Sequence, residues 1–366
     1  MNIALFSPSQ NPYSETFIQA HKTRLKDKVF YYYGSGSSTR IEGESEIFSK
    51  KSIRKEKIKI FLSGRPQSFK DRLLARSLKQ HKINVVLAEY GLHAHRILNA
   101  VKLAGIPMVV HFHGYDASAY EAAEITNNYK KVFAYASKVV AVSKTMVTML
   151  EEKGCPGEKI VLNPCAPAAV FAEVEPNYSE KKVLAMGRFT DKKAPYYTLL
   201  AFSEVLKVYP DAKLVFAGDG ALLETCKNLA IYLKIDDSVE FTGVITREEF
   251  MQELSKSRVF IQHSIRAANG DMEGTPVTVQ EASLAGLPVV ATRHAGIQDV
   301  IVHEETGLLC DEHDVPAMVE HLLKILDSPE LARKMGMAGR NFIQQNFSME
   351  KHISILQNTL QSVLKK

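Results

Sequence analysis

Short apolar runs alternate along the whole chain with longer stretches whose apolar positions recur at helical spacing. That alternation is the signature of βαβ units and a parallel sheet. In the first half it predicts strands at residues 3–6, 85–88, 107–112 and 139–141, with helices such as 69–79 and 93–102 between them. Gly105 and Pro107 stop one helix and open the next strand. The pattern then restarts, with strands at 182–186, 213–217, 239–242, 259–263, 288–292 and 307–309 and helices including 194–209 and 221–233. Between the two series, residues 163–178 hold Pro164, Pro167 and Pro176 without periodicity and read as a stiff linker. The expected architecture is α/β: two Rossmann-like, doubly wound parallel-sheet domains, residues 1–166 and 167–347. Residues 34–46 (GSGSSTRIEGESE) read as a mobile surface loop.

Length and composition agree with two ordinary cores. The chain has 366 residues, 45% hydrophobic and 24% charged, which excludes a disordered or fibrous class. No apolar run approaches the roughly 20 residues of a membrane-crossing helix, and the N-terminus reads as a strand rather than a signal peptide. The four cysteines have no metal-ligand spacing, and a reduced, cytoplasmic protein is the simplest expectation. Charge is uneven: residues 1–166 carry 25 basic against 14 acidic residues, and the remainder 21 against 27. Residues 50–82 alone hold 12 basic residues and two acidic ones, Glu56 and Asp71. Such a stretch is either a solvated helix face or a seat for an anionic surface, such as the inner leaflet of a membrane.

Five places could carry chemistry. Residues 269–276 (NGDMEGTP) precede a helical run ending at Gly286; Thr275 reads as its N-cap and Pro276 as its first helical residue. A helix start after glycines offers free backbone N–H groups and a partial positive charge, which suits a phosphate. Glu273 and Glu281 flank that seat and would be aimed instead at sugar hydroxyls. Residues 187–194 (GRFTDKKA) follow a strand directly; Arg188 can fork onto phosphate oxygens and Lys193 adds a point charge. His111-Phe112-His113-Gly114-Tyr115-Asp116 ends a first-half strand; with no third ligand nearby in sequence, it reads as a strand-end turn approaching a ligand rather than a metal site. Gly218-Asp219-Gly220 lacks a third glycine, since Leu223 stands there, and reads mostly as a tight turn. Ser14-Glu15-Thr16 opens the first helix as a cap or a ligand contact.

Glu273 and Glu281, eight residues apart, together with Gly187-Arg188 and Lys193, resemble the family-4 retaining glycosyltransferases of the GT-B fold. The segment ANGDMEGTPVTVQEASLAGLPVVATRHAGI (268–297) looks closest to the colanic acid and amylovoran biosynthesis glycosyltransferases, and PYSETFI, HFHGYD and AVSKTM resemble the same group. The resemblance implies a transfer of a hexose from a UDP- or GDP-sugar, with two domains facing across a cleft. The acceptor would be a glycan, most simply a lipid-diphosphate-linked oligosaccharide in bacterial surface polysaccharide biosynthesis. It implies Arg188 and Lys193 on the donor diphosphate beside the amides of Gly274 and Thr275, with Gly187 and Gly218 in the same nucleotide site. Glu273 would take the transferred sugar, Glu281 the ribose, and Gly243, Val244 and Ile245 would lie near the base. His113 would face the anomeric centre from the other domain. Ser14, Glu15 and Asp116 would belong to an acceptor or phosphate loop, since Ser9-Gln10-Asn11-Pro12 stands where many relatives carry a Gly-Gly pair. Asn163-Pro164-Cys165-Ala166-Pro167 also departs from the usual Asn-Gly-Val-Asp. Residues from about 348 onward would return to the first domain. The implied chemistry is same-face transfer with retention, assisted by the departing phosphate oxygen and needing no metal or other cofactor, and closure of the two domains about the linker would complete the site. Two other readings of the same architecture are a nucleotide-sugar epimerase and a catalytically silent nucleotide-sugar or polyanion binder. Nothing resembles a nucleic-acid-binding module.

Overall fold

In a computed structural model of the chain, the structure describes residues 1–10, 16–44, 46–63 and 68–364. The chain divides into two compact units, Met1–Asn163 with Glu350–Lys366, and Pro164–Met349.

The first unit carries a seven-stranded sheet in the order β3-β2-β1-β4-β5-β6-β7. Its strands are β1 (Asn2–Ser7), β2 (Lys28–Tyr33), β3 (Arg40–Ile41), β4 (Val85–Glu89), β5 (Met108–His111), β6 (Lys138–Ala141) and β7 (Ile160–Leu162). All pair in parallel except β3, which runs antiparallel along β2. β1, β4 and β5 are buried along almost their whole length, as expected of central parallel strands covered on both faces. β2, β3 and β7 were not predicted. In β2 (KVFYYY) aromatic residues and a lysine mix without alternation. β3 falls inside the stretch expected to be a mobile loop: a 3-10 turn, Gly36–Ser38, feeds a strand that pairs Arg40 with Tyr33 and Ile41 with Tyr32. Buried Ile41 and Thr39 anchor it, which a composition rich in glycine and serine conceals.

The second unit carries a wholly parallel six-stranded sheet, β10-β9-β8-β11-β12-β13. These strands are β8 (Lys182–Met186), β9 (Lys213–Ala217), β10 (Val239–Gly243), β11 (Val259–Gln262), β12 (Val289–Thr292) and β13 (Gly307–Cys310). The strand order reverses between β8 and β11, so the loops leaving those two strands diverge to opposite sides and leave a crevice at their C-terminal ends. The presumed linker is folded onto this unit. Phe171 is buried against Phe250, Tyr178 donates to the Gly286 carbonyl at 2.7 Å, and Gln280 donates to the Cys165 carbonyl at 2.9 Å. Its prolines set the route of a packed segment rather than spacing two bodies.

Candidate functional site in the second unit

The loop after β8 runs through Gly187, Arg188 and Phe189 into a 3-10 turn, Asp191–Lys193, and enters helix Pro195–Val208 through Ala194 at φ 36°. Two glycines of the neighbouring loop make this path possible. A Cβ on Gly218 (φ +134°) would lie 1.9 Å from the Gly187 carbonyl oxygen, and one on Gly220 would lie 2.5 Å from that of Phe189. The backbones therefore lie one against the other, sealed by Gly187 N–H to Ala217 O and Phe189 N–H to Asp219 O. Gly218 also donates its own N–H to Gly243 O at 2.7 Å. Its place is thus to shape the Arg188 loop. Gly243 (φ +70°) ends β10 in open space, with exposed Val244 and half-buried Ile245 following.

From the β11 side, the chain passes through residues 263–276 before helix Val277–Leu284. Pro276, not Thr275, is the residue preceding the helix. It is extended (φ −71°, ψ 109°), and no side chain caps the first turn. Thr275, one residue earlier, is buried and holds an interaction of its own. Pro276 offers that helix no side-chain cap, in keeping with an anion seat.

These two loops bring Lys193 and Glu273 together: Nζ lies 3.2 Å from Oε2. Burial pulls the Lys193 ammonium below its ordinary value, against the attraction of Glu273. Burial also works against the Glu273 carboxylate, but Lys193, Lys192 and His294 outweigh it and hold its pKa at about 2. The other oxygen of Glu273, Oε1, is buried with no hydrogen-bond partner. Arg188, on the same loop, is exposed and enters no ion pair among the described residues. Glu281, one helical turn into Val277–Leu284, also has no ion pair or hydrogen bond there; burial pushes it up to about 8, with Arg247 pulling weakly the other way. The space enclosed by Gly187, Lys193, Gln262 and His263 is about 10 Å³, room for no more than one water.

Several residues that support this arrangement carried no signal in the sequence. Lys192 is buried and bonds Asp271 at 3.0 Å and the Met272 carbonyl, pinning the loop before Glu273. His294, after β12, accepts the Glu273 N–H at Nε2 and donates from Nδ1 to Glu312, 2.6 Å away. His263, after β11, accepts the His313 N–H and is driven down to about 4 by burial. Each follows a strand end, and that position is the only sequence trace they leave.

In the first unit, His113 Nε2 lies 2.7 Å from Glu89 Oε2 and its ring stacks on Phe17 at 4.3 Å. Asp116 is buried, and its carboxylate accepts three backbone N–H groups, from Gly91, His113 and Gly114. Both oxygens are thus engaged in closing the turn. Ser14 and Glu15 lie outside the described residues. Among the described residues no helix is long and apolar enough to cross a membrane.

Two family models match. "Glycosyltransferase Family 4" covers residues 34–166 and "Glycosyl transferases group 1" covers residues 169–342. The "Amylovoran biosynthesis glycosyltransferase AmsK" of Erwinia amylovora is 26% identical over 342 residues, 88% of this chain and 81% of that one. The "Putative colanic acid biosynthesis glycosyltransferase WcaL" of Escherichia coli (strain K12) is 28% identical over 249 residues, 65% of this chain and 60% of that protein. The match thus spans less than two thirds of WcaL. Anabaena Alr3699/HepE, in crystal structures with UDP and with UDP-glucose, superposes with TM-scores of 0.78 and 0.75 at 16% identity, over 99% of both chains.

Proposed function

The chain belongs to the family 4 and group 1 glycosyltransferases and has the GT-B fold, and from that premise we propose a retaining hexosyltransferase that uses a nucleotide-diphosphate sugar. The observation that carries the reading is the set at the β8/β11 crevice: an exposed Arg188 and a Glu281 with no ion pair among the described residues, the Lys193–Glu273 pair, and a helix start preceded by Pro276. Breaking the anomeric C–O bond leaves negative charge on the departing diphosphate. Arg188, Lys193 and the amides of residues 274–277 offer prearranged positive charge to it, so no step is routed through a metal ion. Glu273, ionised and with one oxygen unbonded, accepts hydroxyls of the transferred sugar; Glu281 accepts the ribose diol. In this reading the donor lies over the strand ends, with its base near Gly243 and Ile245. Retention rests on the family resemblance: the acceptor hydroxyl oxygen bonds the anomeric carbon on the same face as the C–O bond to the diphosphate breaks, and its proton passes to the departing phosphate oxygen.

The names of AmsK and WcaL support a role in exopolysaccharide biosynthesis; the acceptor in this reading is a lipid-diphosphate-linked glycan and the site of action cytoplasmic. Helix Lys50–Ser63 supports attachment to an anionic inner leaflet: Lys51, Arg54, Lys55, Lys57 and Lys59 are exposed, as is Phe61 (86%), while Glu56 is buried on Arg72 and Arg76 of the next helix. The positive face therefore has no acidic counterweight within the helix.

UDP-hexoses and GDP-mannose are the donors to test, with lipid extracts as acceptor. Transfer with retained anomeric configuration by NMR is expected; isomerised sugar from donor alone would replace this reading with an epimerase, and no binding of any nucleotide would sink both. Co-sedimentation with anionic liposomes at low salt, lost in Phe61→Ser with Lys55→Glu, tests the membrane arm; equal sedimentation of both proteins refutes it.

A further inference from the structure

The first unit buries one carboxylate among four imidazoles. Glu89 at the end of β4, His21 in helix Thr16–Arg24, His111 at the end of β5 and His352 in helix Met349–Ser362 are all within 3% of full burial, and His113 is nearly so. His21 Nδ1 lies 2.7 Å from Glu89 Oε1, His111 Nδ1 lies 3.4 Å from Oε2, and His113 Nε2 lies 2.7 Å from Oε2. His21 Nε2 faces His352 Nε2 at 2.8 Å. Donor atoms of His21, Glu89 and His111 all fall within 4.8 Å of one another.

Two features go beyond a hydrogen-bonded core. Neither nitrogen of the fully buried His111 ring makes a well-formed hydrogen bond; its Nδ1 only faces Glu89 Oε2 at 3.4 Å. Both oxygens of the fully buried Glu89 carboxylate face imidazole nitrogens, Oε1 that of His21 and Oε2 those of His111 and His113. A buried carboxylate converging with imidazoles is the donor set of a borderline divalent cation.

We propose that His21, Glu89 and His111 form a binding site for one such cation, of the zinc type, held by Nδ1 of each histidine and a carboxylate oxygen. Metal–ligand bonds of about 2.0–2.1 Å in a tetrahedron set ligand atoms about 3.3–3.4 Å apart. The His111–Glu89 distance already matches this. The His21–Glu89 contact is the length of a proton-bridged bond and opens by several tenths of an ångström when the ion takes the proton's place. Ligation through Nδ1 requires His21 to carry its proton on Nε2, where His352 Nε2 is placed to accept it. His113 in turn donates to Glu89. Both are the outer partners that fix ligand orientation at such sites. The sequence offered only the His111–His113 pair; the remaining members arrive from three separate segments. The ion would join helix Thr16–Arg24, β4 and β5, and the site stands independently of the donor chemistry proposed for the second unit.

Cobalt(II) reports the site directly. The tag-free, chelator-treated full chain is titrated with Co²⁺ by visible absorption and then with Zn²⁺ as competitor, with metal content checked by mass spectrometry. About one equivalent per chain, an intense d–d band without a thiolate charge-transfer band, and displacement by Zn²⁺ are expected. Glu89→Gln and His111→Phe should each lower uptake at least tenfold, while His81→Ala, a histidine outside the cluster, should leave it unchanged. Far-UV circular dichroism and urea unfolding of the same variants report whether the chain is folded. Wild-type protein that takes up less than about a fifth of an equivalent at tens of micromolar Co²⁺ overturns the proposal whatever the variants do. So does full uptake that persists in a folded His111→Phe protein. Loss of UDP binding in the wild type would refute the donor site and leave this result standing.

Discussion

Glu281 connects function to stability, and replacing it by glutamine separates the two. Its ordinary pKa of 4.5 rises to about 8 in the folded chain because burial opposes the charge. Between these values the folded state binds more protons than the unfolded one, so stability is full below pH 4.5 and falls as pH rises toward 8. At 1.36 kcal/mol per unit, the deficit grows from about 1 kcal/mol near pH 5 to about 4–5 kcal/mol at pH 8. Glu281→Gln keeps the shape and removes the charge. The variant should therefore be more stable than the wild type, by an amount that increases with pH, and should lose nucleotide binding. Urea unfolding at pH 5 and pH 8 measures the first; calorimetric UDP titration measures the second. The wild type should also bind UDP more weakly as pH falls below 8, approaching tenfold per unit, since ribose hydroxyls are accepted by the ionised form. An equal stability difference at both pH values would show that Glu281 ionises freely, and the assignment of its environment would fall.

The other consequences are equally direct. Arg188→Ala should leave urea stability within about 0.5 kcal/mol, because the exposed guanidinium holds no protein partner, yet weaken UDP binding by roughly ten- to a hundredfold, the loss of a charge-assisted contact; unchanged affinity by calorimetry would remove it from the site. Lys193→Ala leaves Glu273 buried with its nearest counter-charge removed and should cost about 3–5 kcal/mol, whereas the double variant with Glu273→Gln should recover much of that; a strictly additive double-mutant cycle would mean the two do not interact. Gly218→Ala drives a Cβ to 1.9 Å from the Gly187 oxygen and should cost more than about 2 kcal/mol along with UDP binding, while Gly243→Ala meets open space and should cost only the left-handed backbone term, about 1–2 kcal/mol. Chemical denaturation of the pair tests the contrast.

Buried parallel strands were the most legible part of the fold. The strands at 182–186 and 213–217 have the expected bounds because both are continuous apolar runs between turn residues. β2 and β7 were hidden for opposite reasons: β2 is aromatic and half-exposed near the sheet's edge, and β7 is three residues long with no buried position. Loop residues at strand ends were readable where they formed a dense local string, as in Gly187-Arg188 and Glu273-Gly274. Partners assembled across the sheet, such as His294 with Glu312 or His21 with Glu89, were not, since nothing in one segment announces the other. Start positions of helices were misplaced where a buried side chain, here Thr275, outweighed local capping preference.

The distribution of unmet polar groups distinguishes a ligand site from an ordinary polar interior in the second unit. Most of its buried charges are satisfied internally. Arg258 donates to the carbonyls of Tyr178, Ser179 and Leu326, Lys192 bonds Asp271, and Lys182 pairs with Glu253 at 2.6 Å. Among the described residues, two carboxylates at the crevice where the strand order reverses differ: Glu273 keeps one bare oxygen and half-buried Glu281 has no side-chain partner, while the exposed Arg188 beside them enters no ion pair. A unit selected only for stability would shed such groups, since an apolar replacement of a buried, unpaired carboxylate is stabilising. A diphosphate for Arg188 and Lys193, a hydroxyl for Glu273 and a diol for Glu281 would relieve all of them at once. The electrostatic cost of holding these groups unmatched is returned on binding and, being already oriented, is available where charge develops during transfer.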